Sequence, residues 1–156
     1  EKEIKTNAMR ILEKEKIPYQ AMNYECEEFI DGITIADKVG LSYELVYKTL
    51  VTQGNSKNYF VFVIPIAEEL DMKKAARSVG EKSVEMLHVK DINKVTGYIR
   101  GGCSPVGMKK KYPTFFDETC ILWDEIAVSA GERGHQMILP PEALAELINA
   151  KIVDLT

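Results

Sequence analysis

The sequence predicts a mixed α+β fold in one compact domain spanning 1–156, with a largely central mixed β-sheet flanked by helices. Three observations predict it. Apolar runs of strand length alternate irregularly with amphipathic stretches of helix length. Two of those runs, Leu50–Thr52 and Tyr59–Ile64, are separated by a segment containing Gly54–Asn55 and read as a hairpin. At 156 residues, with 46% hydrophobic and 28% charged, the chain can bury one sizeable core.

Taken in order, residues 5–16 form an amphipathic helix with Ile4, Ala8, Ile11 and Leu12 on one face, stopped by Pro18. Tyr19–Tyr24 is a short strand. Thr34 followed by Asp37 resembles a capped helix start, and Gly40 ends that helix. Ser42 caps a second short helix reaching about Tyr47. Tyr59–Ile64 is apolar at every position and is expected to be buried on both faces. Asp71 caps a helix through Val79, closed by Gly80. A strand near Ser83–Met86 and a short helix from Asp91 precede a glycine-rich stretch. Thr114–Asp117 and Glu125–Ala130 are strands, Gly131–Gly134 turns the latter into a strand at His135–Leu139, and Pro141 opens a last helix through about Asn149.

Composition narrows the function classes. No apolar run approaches the roughly 20 residues that span a bilayer, and Glu1–Arg10 lacks the apolar centre of a secretion signal. Cys26, Cys103 and Cys120 form no CxxC pair, so a reducing cytoplasm is the natural setting and a disulfide framework is not. His88 and His135 stand far apart without a second ligand at metal spacing, so neither a metal nor another cofactor is expected. The net charge of −4 sits poorly with an unaided grip on nucleic acid, which draws its affinity from phosphate neutralisation. If the substrate is a nucleic acid, the grip is local, weak or lent by a partner.

The densest unusual feature is Thr96-Gly-Tyr-Ile-Arg-Gly-Gly-Cys-Ser-Pro-Val-Gly-Met108. Glycines let the main chain approach a ligand, Pro105 stiffens the loop, and exposed N–H groups there can hold a carbonyl, carboxylate or phosphate. The spacing is neither a P-loop nor GxGxxG, and a purely structural loop with several tight turns stays open. Lys48, between Leu45–Val46 and Leu50–Thr52, can carry its charge into a cleft and stabilise an oxyanion, or snorkel at the surface. Cys103 invites a nucleophile reading, but no base can be placed beside it, and a small part-buried thiol fits better. Lys109–Lys111 is a run of the kind that usually forms a solvated face, but it borders the loop, where phosphate contact is useful. Ser129, at the start of Ser-Ala-Gly-Glu-Arg-Gly, can hold a substrate group or close its own turn. Trp123 and the Tyr–Phe clusters belong to the core.

Several of these segments together resemble the YbaK family. They are Lys5-Thr-Asn-Ala-Met-Arg, Asp31-Gly-Ile-Thr, Val46-Tyr-Lys-Thr-Leu-Val and Pro65-Ile-Ala-Glu-Glu-Leu-Asp, followed by Gly97-Tyr-Ile-Arg-Gly-Gly-Cys-Ser-Pro-Val-Gly, Lys109-Lys-Lys-Tyr-Pro-Thr and the Ser129 turn. The match is collinear and covers nearly the whole chain. The resemblance implies a β-barrel-like mixed sheet and a Cys-tRNA(Pro)/Cys-tRNA(Cys) deacylase, related to the editing domain of bacterial prolyl-tRNA synthetases. It implies catalytic roles for Lys48, Gly101 and Gly102. Around the substrate it places Tyr19, Phe29, Thr49, Cys103, Ser104, Pro105, Gly107, Ser129 and Gln136. At Gln136 the family pattern carries Asp, so that contact is expected to be altered.

The implied mechanism needs no enzymic nucleophile. The cysteine thiol of the substrate attacks its own ester, and the protein supplies attack geometry and oxyanion stabilisation. Expected partners are the acceptor end of aminoacyl-tRNA and prolyl-tRNA synthetase. The rival readings are a related deacylase for another amino acid, such as alanine, with water as nucleophile, and a non-catalytic module that binds aminoacyl-tRNA or a synthetase.

Overall fold

The computed structural model describes residues 5–156 apart from 27 and 29. The first helix, α1 (Asn7–Lys14), starts at Thr6, whose hydroxyl accepts from the Met9 N–H, and buries Ala8, Met9 and Leu12. The strand β1 (Gln20–Asn23) follows. In α2 (Gly32–Val39) the cap is Asp31 and not Thr34: the Asp31 carboxylate accepts from the Thr34 N–H at 2.8 Å. Gly40 ends α2 in the left-handed conformation, as expected. After Ser42 the chain makes only a 3₁₀ turn, Tyr43–Leu45, and the Ser42 side chain makes no capping bond.

The next strand starts earlier than the sequence indicates. β2 (Tyr47–Gly54) and β3 (Tyr59–Pro65) pair antiparallel from Tyr47 opposite Pro65 to Gln53 opposite Tyr59. Phe60 through Ile64 are buried, in line with a strand covered on both faces. α3 (Met72–Val79) is capped by Asp71 and closed by Gly80, as read. β4 (Val84–Met86), α4 (Val89–Thr96), β5 (Thr114–Asp117), β6 (Ile126–Ser129), β7 (His135–Leu139) and α5 (Pro141–Leu147) complete the expected elements, with Pro141 in the first turn of α5. A further strand, β8 (Lys151–Val153), and a 3₁₀ turn over Glu118–Leu122 were not legible in the sequence.

The strands form two sheets, ordered β1-β7-β6 and β4-β2-β3-β5-β8, with β3, β5 and β8 parallel. A single parallel bridge, Val46 to Ala127, joins the edge at β6 to the start of β2. This is the mixed α+β architecture expected. The barrel is not closed by strand pairing, because β1, β4 and β8 each have a partner on one side only. One apolar cluster centres on Met9, Leu12, Phe116 and Met137, and a second on Phe62, Ile64 and Leu155.

Asp117, fully buried, ties the end of β5 to the C-terminal segment. It accepts from the Leu155 N–H at 2.8 Å and from the Thr119 hydroxyl at 2.6 Å. With that hydroxyl donating to Asp117, Tyr47 O–H is the donor in its 2.8 Å bond to Thr119. This fixes the tyrosine ring where β2 enters the sheet.

Candidate active site

The Val46–Ala127 bridge positions the site. Two residues further along each strand stand Lys48 and Ser129, and Gln136 lies opposite Ser129 on β7. All three line a cleft of about 520 Å³. Thr49, Gly101 and Cys103 line it too, so six of the residues singled out above converge. The remaining wall is mainly apolar: Ile33 from α2, Ile66 after β3, Met86 on β4, and Val89 and Ile92 on α4. Asp31 and Arg100 are charged residues at the cleft that the sequence did not mark, and the apolar wall was also missed. Its signal was only a set of apolar residues at strand and helix ends, indistinguishable from core.

Lys48 is half-buried, and its ammonium donates to the Ile66 carbonyl at 3.3 Å, a long bond that holds it lightly. Burial lowers its pKa below the ordinary lysine value, while Glu69 and Glu68 nearby act in the opposite sense. The charge is therefore more consequential here than on an open surface. Beside it, Thr49 Oγ1 is buried without a hydrogen-bond partner, and so is Gln136 Oε1, in a side chain only 3% exposed. Buried polar atoms left unpaired are costly and rare in folded proteins. The Tyr24 hydroxyl is a third such atom and meets the Gln136 side chain, so those two can pair with each other, while Thr49 and Gln136 both line the cleft. Ser129 accepts from the Gly131 N–H at 3.2 Å, closing its own turn.

The glycine-rich loop lies against that turn. Gly101 has φ +86°, a conformation glycine takes without steric cost. At Gly102 the demand is space: an added Cβ would sit 3.0 Å from the Arg133 nitrogen and 3.2 Å from the Glu132 carbonyl carbon. The close approach of two backbones sets where Gly101 and Cys103 meet the cleft. The Gly102 N–H is already given to the Ile99 carbonyl at 2.9 Å, and the Val106 N–H to Ser104 Oγ at 3.2 Å.

Other residues expected around the substrate lie elsewhere. Ser104 and Pro105 are buried beneath the loop, outside the cleft lining. Gly107 packs near the Tyr98 hydroxyl, and Tyr98 donates to the Val106 carbonyl. Tyr19 packs on the core cluster around Met9. Phe29 lies outside the described residues. Burial pushes the Cys103 thiol up to about 12, so it stays protonated near neutral pH and is unsuited to be a nucleophile. Among the described residues no three His, Cys, Asp or Glu side chains converge as metal ligands, and no helix is long and apolar enough to cross a membrane.

A mixed-sheet fold whose cleft sets a part-buried lysine beside a glycine loop, under a mainly apolar wall with a few polar side chains, defines a class: proteins with a pocket for a small ligand group. Comparison with known proteins places the chain within that class. It belongs to the aminoacyl-tRNA editing domain family, whose pattern matches residues 33–147, and the resemblance read from the motifs is borne out. A protein of Enterococcus faecalis named as a candidate Cys-tRNA(Pro)/Cys-tRNA(Cys) deacylase, EbsC, is 46% identical over 153 residues, covering 97% of this chain and 93% of its own. Two crystal structures share the fold. One, described as a candidate trans-editing enzyme for prolyl-tRNA synthetase, superposes with TM-score 0.82 at 22% identity, over 97% of this chain and 98% of that one. The other, a hypothetical protein called APE2540, gives TM-score 0.85 at 18% identity over 94% and 96%.

Proposed function

We propose that this chain is a cytoplasmic trans-editing deacylase that removes cysteine from mischarged tRNA(Pro), and from Cys-tRNA(Cys), with prolyl-tRNA synthetase as the partner that presents the charged end. The observation that carries this reading is the cleft itself. Lys48, Thr49 and Gln136 line it together, and Thr49 Oγ1 is buried without a hydrogen-bond partner. The family membership and the extent of likeness to EbsC support it.

The chemistry fits what the cleft contains. The substrate thiol gives up its proton, and its sulfur bonds to the ester carbonyl carbon. The bond from that carbon to the ribose oxygen then breaks, and that oxygen takes a proton as the tRNA leaves. Water opens the resulting cyclic thioester to free cysteine. The protein contributes attack geometry and charge stabilisation. Lys48 places its positive charge near the developing oxyanion. Gly101 and Cys103, the loop residues at the cleft, supply backbone N–H donors, since that of Gly102 is committed to Ile99. Gln136 Oε1 and Thr49 Oγ1 accept from the substrate's α-ammonium, and Ser129 lies alongside. A neutral amide at 136 grips an ammonium less strongly than a carboxylate does.

Selectivity rests on reactivity as much as fit. An apolar pocket separates small side chains by only about 1–3 kcal/mol per methylene, so alanine enters as well. Alanine has no thiol, and the serine hydroxyl is a far weaker nucleophile near neutral pH. The test is a deacylation panel of Cys-, Ala-, Ser- and Pro-tRNA(Pro). The reading expects rapid loss of cysteine and little of the others; clearance of none of the four overturns it.

A further inference from the structure

Away from the cleft, a second groove of about 470 Å³ is lined by Lys57, Asn58, Tyr59, Phe60, Lys110 and Tyr112, with Pro113 at its end. It runs between the β2–β3 turn and the segment entering β5. Tyr59 and Tyr112 meet edge to face, with ring centroids 5.8 Å apart and planes at 82°. Phe60 is buried beneath them and Lys57 and Lys110 are exposed. The ion pairs among the described residues are Lys5–Glu13, Lys74–Asp154 and His135–Glu132, so neither Lys57 nor Lys110 is in one; the Glu81 carboxylate, which meets the same turn, accepts from the Ser56 N–H at 2.9 Å.

Lys57 is held at φ +76°, where glycine or asparagine is favoured in a turn. A lysine there gains nothing from local conformation. The groove is also tied to the cleft by α4. Tyr112 donates to the Val95 carbonyl at 2.7 Å and Lys109 to that of Lys94 at 3.3 Å, both at the C-terminal end of the helix whose Val89 and Ile92 line the cleft. Val95 lies three and six residues beyond Ile92 and Val89, about 4.5–9 Å of helix rise, a separation of about one to three stacked nucleotides at 3.4 Å each.

We infer that this groove holds the RNA of the substrate a few nucleotides from its aminoacylated end, with phosphates against Lys57 and Lys110 and a base or ribose on the Tyr59–Tyr112 face. The inference rests on the editing function proposed above. Exposed lysines interleaved with aromatic faces are the chemistry that takes a nucleic-acid strand without reading its sequence. A local grip of this kind also reconciles an RNA substrate with a chain of net charge −4. The groove thereby gives a place to Lys110, the middle residue of the lysine run after the glycine loop, which the cleft leaves unused.

The experiment measures binding of a fluorescent acceptor-stem hairpin with a CCA end between 50 and 200 mM salt, and separately the deacylation of Cys-tRNA(Pro). Its proteins are the wild type, Lys57→Ala/Lys110→Ala and Lys57→Arg/Lys110→Arg. Each lost phosphate contact removes about 0.7–0.9 from the log–log salt slope, so the double alanine variant lowers it by about 1.4–1.8 and weakens binding roughly 25- to 60-fold at 0.1 M salt. The arginine variant restores both. Deacylation of a cysteinyl ester of adenosine alone, which has no phosphate to reach the groove, stays unchanged. An unchanged hairpin slope overturns the inference. So does a loss seen only when prolyl-tRNA synthetase is added, which makes the groove a protein-docking surface. Hairpin binding with the expected slopes but no deacylation by the wild type overturns the proposed function and leaves the groove standing.

Discussion

Replacing Lys48 by methionine removes the ammonium and keeps a stem of similar length. The side chain is half-buried, its one hydrogen bond is the 3.3 Å contact to the Ile66 carbonyl, and Glu68 and Glu69 lie close enough to offset part of its charge. Little of the fold depends on it, so the variant should be folded and as stable as the parent within about 0.5 kcal/mol. Its effect on the reaction is large. A unit charge developing about 4 Å from the ammonium, at the effective dielectric of a part-buried site, interacts by about 4 kcal/mol. Glu68 and Glu69 reduce this, which brings it to about 3–4 kcal/mol, the range for loss of one oxyanion-stabilising group. Single-turnover release of tRNA from Cys-tRNA(Pro) should therefore slow by about 10²- to 10³-fold in Lys48→Met, while KM changes by less than about fivefold. A rate within threefold of wild type, in a variant with an unchanged melting curve, refutes the role assigned to this lysine.

Three further outcomes follow from the same geometry. The rate should rise with pH as the substrate thiol ionises near about 8.5. It should fall again where Lys48 loses its proton, which burial brings below the ordinary 10.5, so the profile is bell-shaped. In Lys48→Arg the alkaline limb should vanish, because arginine stays charged; a pH series of single-turnover rates checks both. Gly102→Ala places a methyl against the backbone of Glu132 and Arg133 and should cost about 1–3 kcal/mol of stability by thermal melting, with a larger fractional loss of activity as Gly101 and Cys103 shift. Gln136→Leu removes the amide that meets the buried Tyr24 hydroxyl and leaves that hydroxyl unpaired, so it should cost about 1–3 kcal/mol of stability by thermal melting while KM for Cys-tRNA(Pro) increases.

How far the sequence foretold the structure differs by element. The hairpin of β2 and β3, the capped helix α3 and the turn before β7 were legible because each is specified by neighbours in the chain: Gly54–Asn55, Asp71 with Gly80, and Gly131–Gly134. The start of α2 was misplaced because Thr34 alone was read as the cap, whereas the 2.8 Å bond from the Thr34 N–H to the Asp31 carboxylate makes Asp31 the cap. β8 escaped notice because its three residues are largely exposed and its parallel pairing with β5 joins positions far apart in sequence.

The site divides the same way. The Gly101–Gly107 loop was conspicuous from composition alone, although only Gly101 and Cys103 of it reach the cleft. Lys48 stood out from other lysines through the family resemblance, since nothing local announces that a bridge from Val46 to Ala127 will carry it beside Ser129 and Gln136. Ser104 and Pro105 carry the loop's shape, a supporting role that spacing does not distinguish from ligand contact. The apolar wall from α2 and α4 reads as ordinary amphipathic helix until the fold turns it toward the cleft.

The central claim is that the cleft positions a substrate which brings its own nucleophile. Single-turnover deacylation of tRNA(Pro) carrying cysteine, S-methylcysteine or alanine tests it most directly. The account predicts rapid loss of cysteine and, once the thiol is blocked or absent, rates near those of uncatalysed hydrolysis. Clearance of S-methylcysteine or alanine as fast as cysteine would contradict it and make water the attacking group.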